Sequence, residues 1–235
     1  MDTQTRHALK QDKFALATAS GVSWVSGHRA GVIRWSIGVG AVILLCVSSL
    51  ILYNQQSDAA ASAVGAALDV YSAPLAQPGT PAGTGVYATS ADRAKAANQQ
   101  FAAAAQKYGW LPEGTKAHYF AGVTYMDLGQ TAQAETELKA AAGSWDRNMA
   151  NLARLALAGL YHRTGRDSQA IDVYNAIAAK PSDTVPATVA QLDLADLYAA
   201  AGKQDEARKI WAKMKDADKD GAAGSIATQK LAAKQ

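Results

Sequence analysis

Side chains that commonly bind metals or carry out catalysis are few in this chain and widely spaced. Its four histidines are His7, His28, His118 and His162. No two of them have the spacing that places a pair of metal ligands on one helix. The sequence also lacks a serine elbow, a P-loop and a dinucleotide fingerprint. We therefore predict that the chain is not an enzyme, that it has no metal or cofactor, and that it binds no small-molecule substrate.

One short acidic run resembles the beginning of a calcium-binding loop. The run Asp216-Ala-Asp218-Lys-Asp220-Gly221 has the opening spacing of an EF-hand. The twelfth position of such a loop should be a bidentate glutamate, but here it is Ala227. The sequence therefore predicts a solvated turn followed by the N-terminus of a helix.

The net positive charge lies near the N-terminus of the chain. The formal net charge is +3, and residues 1–34 contain five basic and two acidic groups, so the remainder is balanced. A nucleic-acid-binding domain would need a basic face on its folded part, and we therefore expect no nucleic-acid partner. Cys46 is the only cysteine, which excludes a disulfide within the chain.

A long uncharged run follows this basic segment. Residues 35–53 begin with Trp35, end with Tyr53 and include 19 residues without a charge. As a helix, this run would span roughly 28 Å, close to the hydrocarbon thickness of a bilayer. We predict a transmembrane helix at 35–53 and a basic cytoplasmic tail at 1–34, because positive charge stays inside. A buried core helix, and a cleaved signal peptide with Ala59-Ala60-Ala61 as its cleavage site, are the alternatives.

Three later segments of the chain align without gaps. Each has a small residue, then a tyrosine, a glycine, an alanine and a large apolar residue at offsets of 3, 4, 5 and 4. The first contains Gly122, Tyr125, Gly129, Ala134 and Leu138; the second Ala158, Tyr161, Gly165, Ala170 and Tyr174; the third Ala195, Tyr198, Gly202, Ala207 and Trp211. This spacing predicts hairpins in which the glycine ends a first helix, A, and the alanine packs a second helix, B, against it.

The repeats resemble the tetratricopeptide repeat (TPR), and the resemblance covers residues 113–215. It implies an all-α fold, a TPR-like α-solenoid of about three to four helix hairpins that binds other proteins on a concave face lined by the A helices. Read from the repeat offsets, the residues on that face are Lys116, Tyr119, Val123, Met126, Asp127, Leu155, His162, Arg163, Leu192, Asp196 and Ala199. Packing of several of these residues against a capping helix is the alternative to an open groove.

The segments on either side of the repeats are also predicted to be helical. Residues 54–112 form a juxtamembrane pair, with helices at 58–73 and 91–108 and a flexible Pro/Gly linker at 74–90. Within this pair, Ala97 and Phe101 repeat the alanine-to-large spacing of helix B. Residues 216–235 are predicted to end in a capping helix at 222–233, with Ile226 and Leu231 facing inward.

A basic tail, a single membrane helix and an exported repeat domain together resemble the bacterial family of ancillary subunits of the SecYEG translocon. That resemblance implies a single-pass protein of the bacterial inner (plasma) membrane, with its N-terminus in the cytoplasm and its C-terminal domain periplasmic or extracytoplasmic. It implies protein partners among translocon subunits, periplasmic chaperones or nascent exported chains, and a function in secretion or envelope-protein folding. The alternative function is a scaffold for another envelope assembly, such as cell-division or cell-wall machinery.

Overall fold

The computed structural model describes residues 29–77 and 85–233, and these residues contain nine helices and no strand. The helices are α1 (Arg29–Tyr71), α2 (Ser90–Tyr108), α3 (Pro112–Asp127), α4 (Thr131–Ala142), α5 (Arg147–Arg163), α6 (Asp167–Ala179), α7 (Ala187–Ala200), α8 (Gln204–Ala217) and α9 (Ala222–Ala232). The chain divides into two compact units, Met1–Gln55 and Gln56–Gln235. Most of the predicted cytoplasmic tail, residues 1–28, lies outside the described residues.

Helix α1 contains the apolar run. Among the described residues it is the one helix that is long and apolar enough to cross a membrane, judged by length and composition, and its most apolar window has a mean hydropathy of 2.3. The sequence predicted a separate helix from residue 58, but α1 continues without interruption to Tyr71. The residues joining the two predicted helices, 54–57, are asparagine, two glutamines and serine, so no proline or glycine ends the helix there.

The second compact unit, Gln56–Gln235, which we call the repeat unit, is built from helix hairpins. Its consecutive helices from α2 to α9 pack against one another. Helices α3, α5 and α7 are the A helices of the three predicted repeats, and α4, α6 and α8 are their B helices. Gly129, Gly165 and Gly202 end the A helices with φ of +70°, +72° and +75°. The predicted glycine turns are thus confirmed.

The backbone of these turns is the same in all three hairpins. The amide N–H of the residue that follows each turn glycine, three residues after the end of the A helix, donates to the carbonyl of the repeated tyrosine, at Tyr125, Tyr161 and Tyr198, with N···O distances of 2.8–2.9 Å. This 6→1 bond, with the glycine in the left-handed region, is a Schellman motif. It satisfies carbonyls at the end of the helix and reverses the chain into helix B.

Small and large residues alternate in the core as the repeats predicted. Ala134, Ala170 and Ala207 are each fully buried, and so are the side chains of Leu138 and Trp211. Burying one large apolar side chain stabilises a fold by about 1.5–3 kcal/mol. Gly122 allows α3 and α4 to approach closely, because a Cβ added there would lie 2.6 Å from Leu138 Cγ.

A further hairpin precedes the three repeats. Ala97 and Phe101 of α2 are fully buried, and they pack in one cluster with Ala60, Val64 and Ala67 from the end of α1. The connection between the two helices contains an isolated parallel bridge between Leu75 and Tyr87, in which Ala76 N–H donates to Tyr87 O at 2.9 Å. Residues 78–84 of the predicted linker lie outside the described residues.

Helix α9 follows the turn in which the sequence resembled a calcium loop. Asp218 Oδ2 accepts hydrogen bonds from the backbone N–H groups of Ala223 (3.0 Å) and Gly224 (3.3 Å), so this carboxylate caps the N-terminus of α9. The prediction that Ile226 faces inward is wrong, since its side chain is 38% exposed, whereas Leu231 is partly buried against the core. The helix docks through its small residues, Gly224 and Ala227, and this turns Ile226 outward.

Candidate protein-binding groove

The candidate groove is formed by equivalent positions on the A helices. Tyr119, Leu155 and Leu192 occupy one repeat position, 36 and 37 residues apart. The other candidates fall into sets of the same kind, namely Val123 with Asp196, Met126 with His162 and Ala199, and Asp127 with Arg163. Helices α3 and α5 pack directly against each other, so the first two repeats bring their A-helix surfaces side by side.

The apolar members of the first two repeats are partly buried. Tyr119, Met126 and Leu155 pack against the central cluster, the group of buried core side chains that runs from Ala134 to Leu197. Val123 is also partly exposed. The Tyr119 ring meets the Phe120 ring edge to face, with centroids 5.0 Å apart. Burial raises the pKa of Tyr119, so its phenol is neutral at physiological pH and can donate or accept a hydrogen bond. These side chains form an apolar surface with one polar group.

Asp127 is held by the helix that precedes the repeats. Its Oδ2 accepts a hydrogen bond of 2.9 Å from the Tyr71 hydroxyl, and the Arg93 guanidinium lies 5.9 Å from the centroid of the Tyr71 ring. Burial, followed by this bond to Asp127, raises the pKa of Tyr71 to about 12. Asp127 therefore already has a partner within the chain at the N-terminal end of the stack.

The third repeat is covered in part by α9. Lys230 Nζ donates to both carboxylate oxygens of Asp196, at 2.8 and 2.7 Å, and Leu192 packs in the cluster that includes Ala227 of α9. Ala199 packs against the same cluster. Asp196 is thus bound by the capping helix, and Leu192 and Ala199 pack against the cluster that this helix joins through Ala227. An open groove stays a prediction for the first two repeats.

The charged candidates near the apolar surface are mostly basic. Lys116 is exposed and pairs with Glu113 at 3.3 Å, whereas the ring nitrogen Nδ1 of His162 lies 2.7 Å from Asp167 Oδ1. Arg163 is exposed and has no ion pair among the described residues. Because the other four charged candidates each have a partner within the chain, Arg163 is the one best placed to bind a carboxylate of a partner.

The comparisons with known proteins agree with this architecture. Residues 188–213, within α7 and α8, match the family model of the tetratricopeptide repeat. A crystal structure of nearly identical TPR-like repeats, from a kinesin light chain of Podosopora anserina, aligns with a TM-score of 0.51 at 16% identity. The alignment covers 60% of this chain and 76% of that chain. Both findings support a TPR protein. No curated protein matches the chain.

Two TPR positions near the groove escaped the sequence reasoning. Leu152 and Val189 occupy the repeat position of Lys116 on the next two A helices. Leu152 packs partly buried against the central cluster, and Val189 is 37% exposed. The same 36- and 37-residue offsets that located Tyr119, Leu155 and Leu192 would have found them.

A polar contact between successive TPR hairpins was also missed. Glu135 of α4 pairs with Arg166 at 2.8 Å and with Lys139 at 2.7 Å, and the Arg166 guanidinium lies 4.4 Å from the centroid of the Tyr161 ring. The hydrogen bond from Lys139, with that from Arg166, lowers the pKa of Glu135. These contacts connect α4, helix B of the first repeat, to the glycine turn of the second repeat. They therefore help to hold the A helices of the two repeats side by side.

Proposed function

We propose that this chain is a membrane-tethered, exported TPR adaptor that binds proteins during secretion or envelope-protein folding. The observation that carries the proposal is the partly buried apolar surface formed by Tyr119, Met126 and Leu155 on adjacent A helices. Apolar and aromatic side chains that retain some exposure, with a few charges at the rim, are the usual anchors of a protein interface.

The chemistry of this surface favours varied apolar segments over one fixed sequence. Methionine adapts its shape to different partners, and Tyr119 adds one hydroxyl to an otherwise apolar surface. The rim has too few basic groups to clamp the C-terminal carboxylate of a peptide through several bidentate bonds. Partly unfolded exported chains, and proteins that receive them, have segments of this kind.

The proposed tether is the apolar part of α1. Its side chains are exposed, with Trp35 at 78% and Leu45 at 69%, and bilayer lipid would cover them. The net positive charge before the run favours a cytoplasmic N-terminus and places the repeats on the other side of the membrane. Translocon subunits, periplasmic chaperones and nascent exported chains are accordingly the proposed partners.

Site-specific cross-linking in the native membrane tests this function. A photoreactive residue replaces Tyr119 or Leu155 in the full chain, and Lys209, exposed on α8, serves as the control position. We expect cross-links from the two groove positions to translocon subunits, chaperones or exported chains, identified by mass spectrometry. Cross-links to division or cell-wall proteins would instead support the scaffold function, and equal yields from Lys209 would exclude the groove.

A further inference from the structure

The most exposed large apolar side chains of the repeat unit are not in the groove. Among its described residues, Trp145 is 87% exposed and Trp110 is 66% exposed. Trp110 lies in the turn between α2 and α3, and Trp145 in the turn between α4 and α5. Val189 (37%) is in the first turn of α7, and Ile226 (38%) is near the beginning of α9. These four side chains lie at or close to the beginning of an A helix or of α9, whereas Leu75, which is 41% exposed, follows the end of α1.

The beginnings of the A helices line one edge of the repeat unit, which we call the inter-repeat edge. Helix α2 forms a hairpin with α1 before it and with α3 after it, so α1 and α3 run parallel, and the bond between Tyr71 and Asp127 joins their last residues. Asn148, in the first turn of α5, accepts a 3.1 Å bond from Asp183 N–H and a 2.9 Å bond from the Thr184 hydroxyl. The turn leading into α7 therefore lies beside the beginning of α5, whereas the glycine turns lie at the opposite edge.

The chain also reaches the repeat unit at the inter-repeat edge. The part of α1 that belongs to this unit begins at Gln56 and ends at Tyr71, beside the end of α3. Because the two helices are parallel, Gln56 is at the edge where α3 begins. In sequence, Gln56 follows the last residue of the apolar run, Tyr53, by three positions.

We propose that the inter-repeat edge contacts the surface of a lipid bilayer, with Trp145 and Trp110 in the interfacial region. Tryptophan favours the boundary between headgroups and acyl chains, because its ring is apolar and its indole N–H is a donor. Exposed rings in two turns, together with Val189 and Ile226, give this edge an apolar character that a purely solvated surface lacks. The inference rests on the membrane tether of the proposed function.

The charges of the turns indicate which lipid chemistry the edge suits. The four turns at 109–111, 143–146, 180–186 and 218–221 contain two lysines and four aspartates. Such a surface has no electrostatic attraction for anionic headgroups. The edge therefore fits a zwitterionic surface such as phosphatidylcholine, which it would bind through the tryptophan rings and not through charge.

Fluorine NMR of the full chain tests this contact. The protein is labelled with 5-fluorotryptophan and placed in phosphatidylcholine bicelles, and each signal is assigned from a variant such as Trp145→Phe. Phosphatidylcholine with a spin label on its headgroup is then added. We expect the Trp145 and Trp110 signals to lose most of their intensity, while the signal of Trp211, which is 1% exposed, persists.

Trp35 separates this inference from the tether. If Trp35 loses intensity and Trp145 does not, the tether holds and the edge does not touch lipid. If Trp145 loses intensity without Trp35, the edge binds lipid and the tether is wrong. If neither Trp35 nor Trp145 loses intensity, both the tether and the lipid contact of the edge are wrong. If Trp211 loses intensity as well, the repeats unfold onto the bicelle and the lipid contact of the folded edge is wrong. Retained Trp145 intensity with photo-cross-links from position 145 to a protein would assign the edge to a protein partner.

Discussion

At the scale of single residues, Asp193 on α7 is a carboxylate in an unfavourable site. Its side chain is partly buried, and burial raises its pKa above the ordinary value of 3.8, with a further contribution from the negative charge of Asp196. A carboxyl whose pKa is raised by folding stabilises the fold below its unfolded pKa, and this contribution is lost as the pH rises through the folded pKa. At neutral pH, Asp193 therefore lowers the free energy of unfolding.

Replacing this carboxylate by a neutral amide should stabilise the protein. We expect Asp193→Asn to raise the melting temperature at neutral pH, and the gain should disappear when the pH falls below about 3.8, where wild-type Asp193 is protonated. Thermal melts across this range measure the effect. Asp172→Asn, at an exposed position on α6, is the control and should change little. A melting temperature of Asp193→Asn below that of the wild type at neutral pH would contradict the assignment.

The groove side chains are the second residue-scale question. Truncating both Tyr119 and Met126 to Ala removes two apolar anchors, and each should cost about 1–2 kcal/mol of binding, the range of typical interface truncations. Capture of an identified partner by the full chain, measured by titration, reports the loss. The double variant Ile171→Ala/Val173→Ala removes apolar side chains of similar burial from α6, a B helix. It should lose stability without losing affinity, and equal affinities for both double variants would place the partner elsewhere.

At the scale of elements, the hairpins depend on a turn that requires a left-handed residue. Gly165 has φ of +72°, and an alanine in that region costs about 1–2 kcal/mol. Arg166, the next residue, stacks on the ring of Tyr161, whose carbonyl accepts the bond that closes the turn. The turn at the end of α5 therefore also positions Arg166 for its contact with Glu135 of the preceding repeat.

A pair of glycine substitutions isolates this effect. Gly165→Ala should destabilise the repeats by about 1–2 kcal/mol because of its positive φ. Gly159→Ala is the matched control, since Gly159 is inside α5 and an added Cβ would meet nothing within 4 Å. That change should stabilise by about 0.5–1 kcal/mol, because alanine is the better helix former. Denaturant unfolding measures both, and changes of the same sign would show that φ does not decide the outcome.

The contact between helices A and B gives a further element-scale prediction. Ala170 is fully buried in the second hairpin. Ala170→Leu should overpack it and cost about 1–3 kcal/mol. The melting temperature of the variant should fall accordingly, and an unchanged value would mean that α5 and α6 do not meet at Ala170.

At the scale of the whole molecule, the proposed membrane tether raises the question of which side of the membrane holds the repeats. The span predicted at 35–53 is preceded by Arg29 and Arg34, and the next basic residue after it is Arg93. Positive charge is retained in the cytoplasm, so the repeat unit should be exported.

A reporter fused after Gln235 tests this topology. We expect alkaline phosphatase, which is active only outside the cytoplasm, to be active at this position. A fluorescent protein that matures only in the cytoplasm should be dark there, and a bright one would reverse the topology. Moving Arg29 and Arg34 to positions after Tyr53 should weaken or invert the orientation, since flanking basic residues set it.

The sequence by itself determined the features that depend on local periodicity. The apolar run, the three glycine turns and the buried alanines at Ala134, Ala170 and Ala207 follow from the spacing of residue types along a helix, and the structure has these turns and this burial. Helix geometry places residues a few positions apart on one face, whatever the rest of the chain does. The repeat offsets also identified equivalent positions on successive A helices.

The tertiary structure alone decided which of these A-helix positions are bound by other helices of the same chain. Asp127 meets Tyr71 across 56 residues of sequence, and Asp196 meets Lys230 across 34. Likewise, Ile226 faces outward because α9 docks through Gly224 and Ala227. Such contacts depend on how whole helices dock, and docking is set by the fit of many side chains at once. Residue spacing along one helix carries no information about that fit.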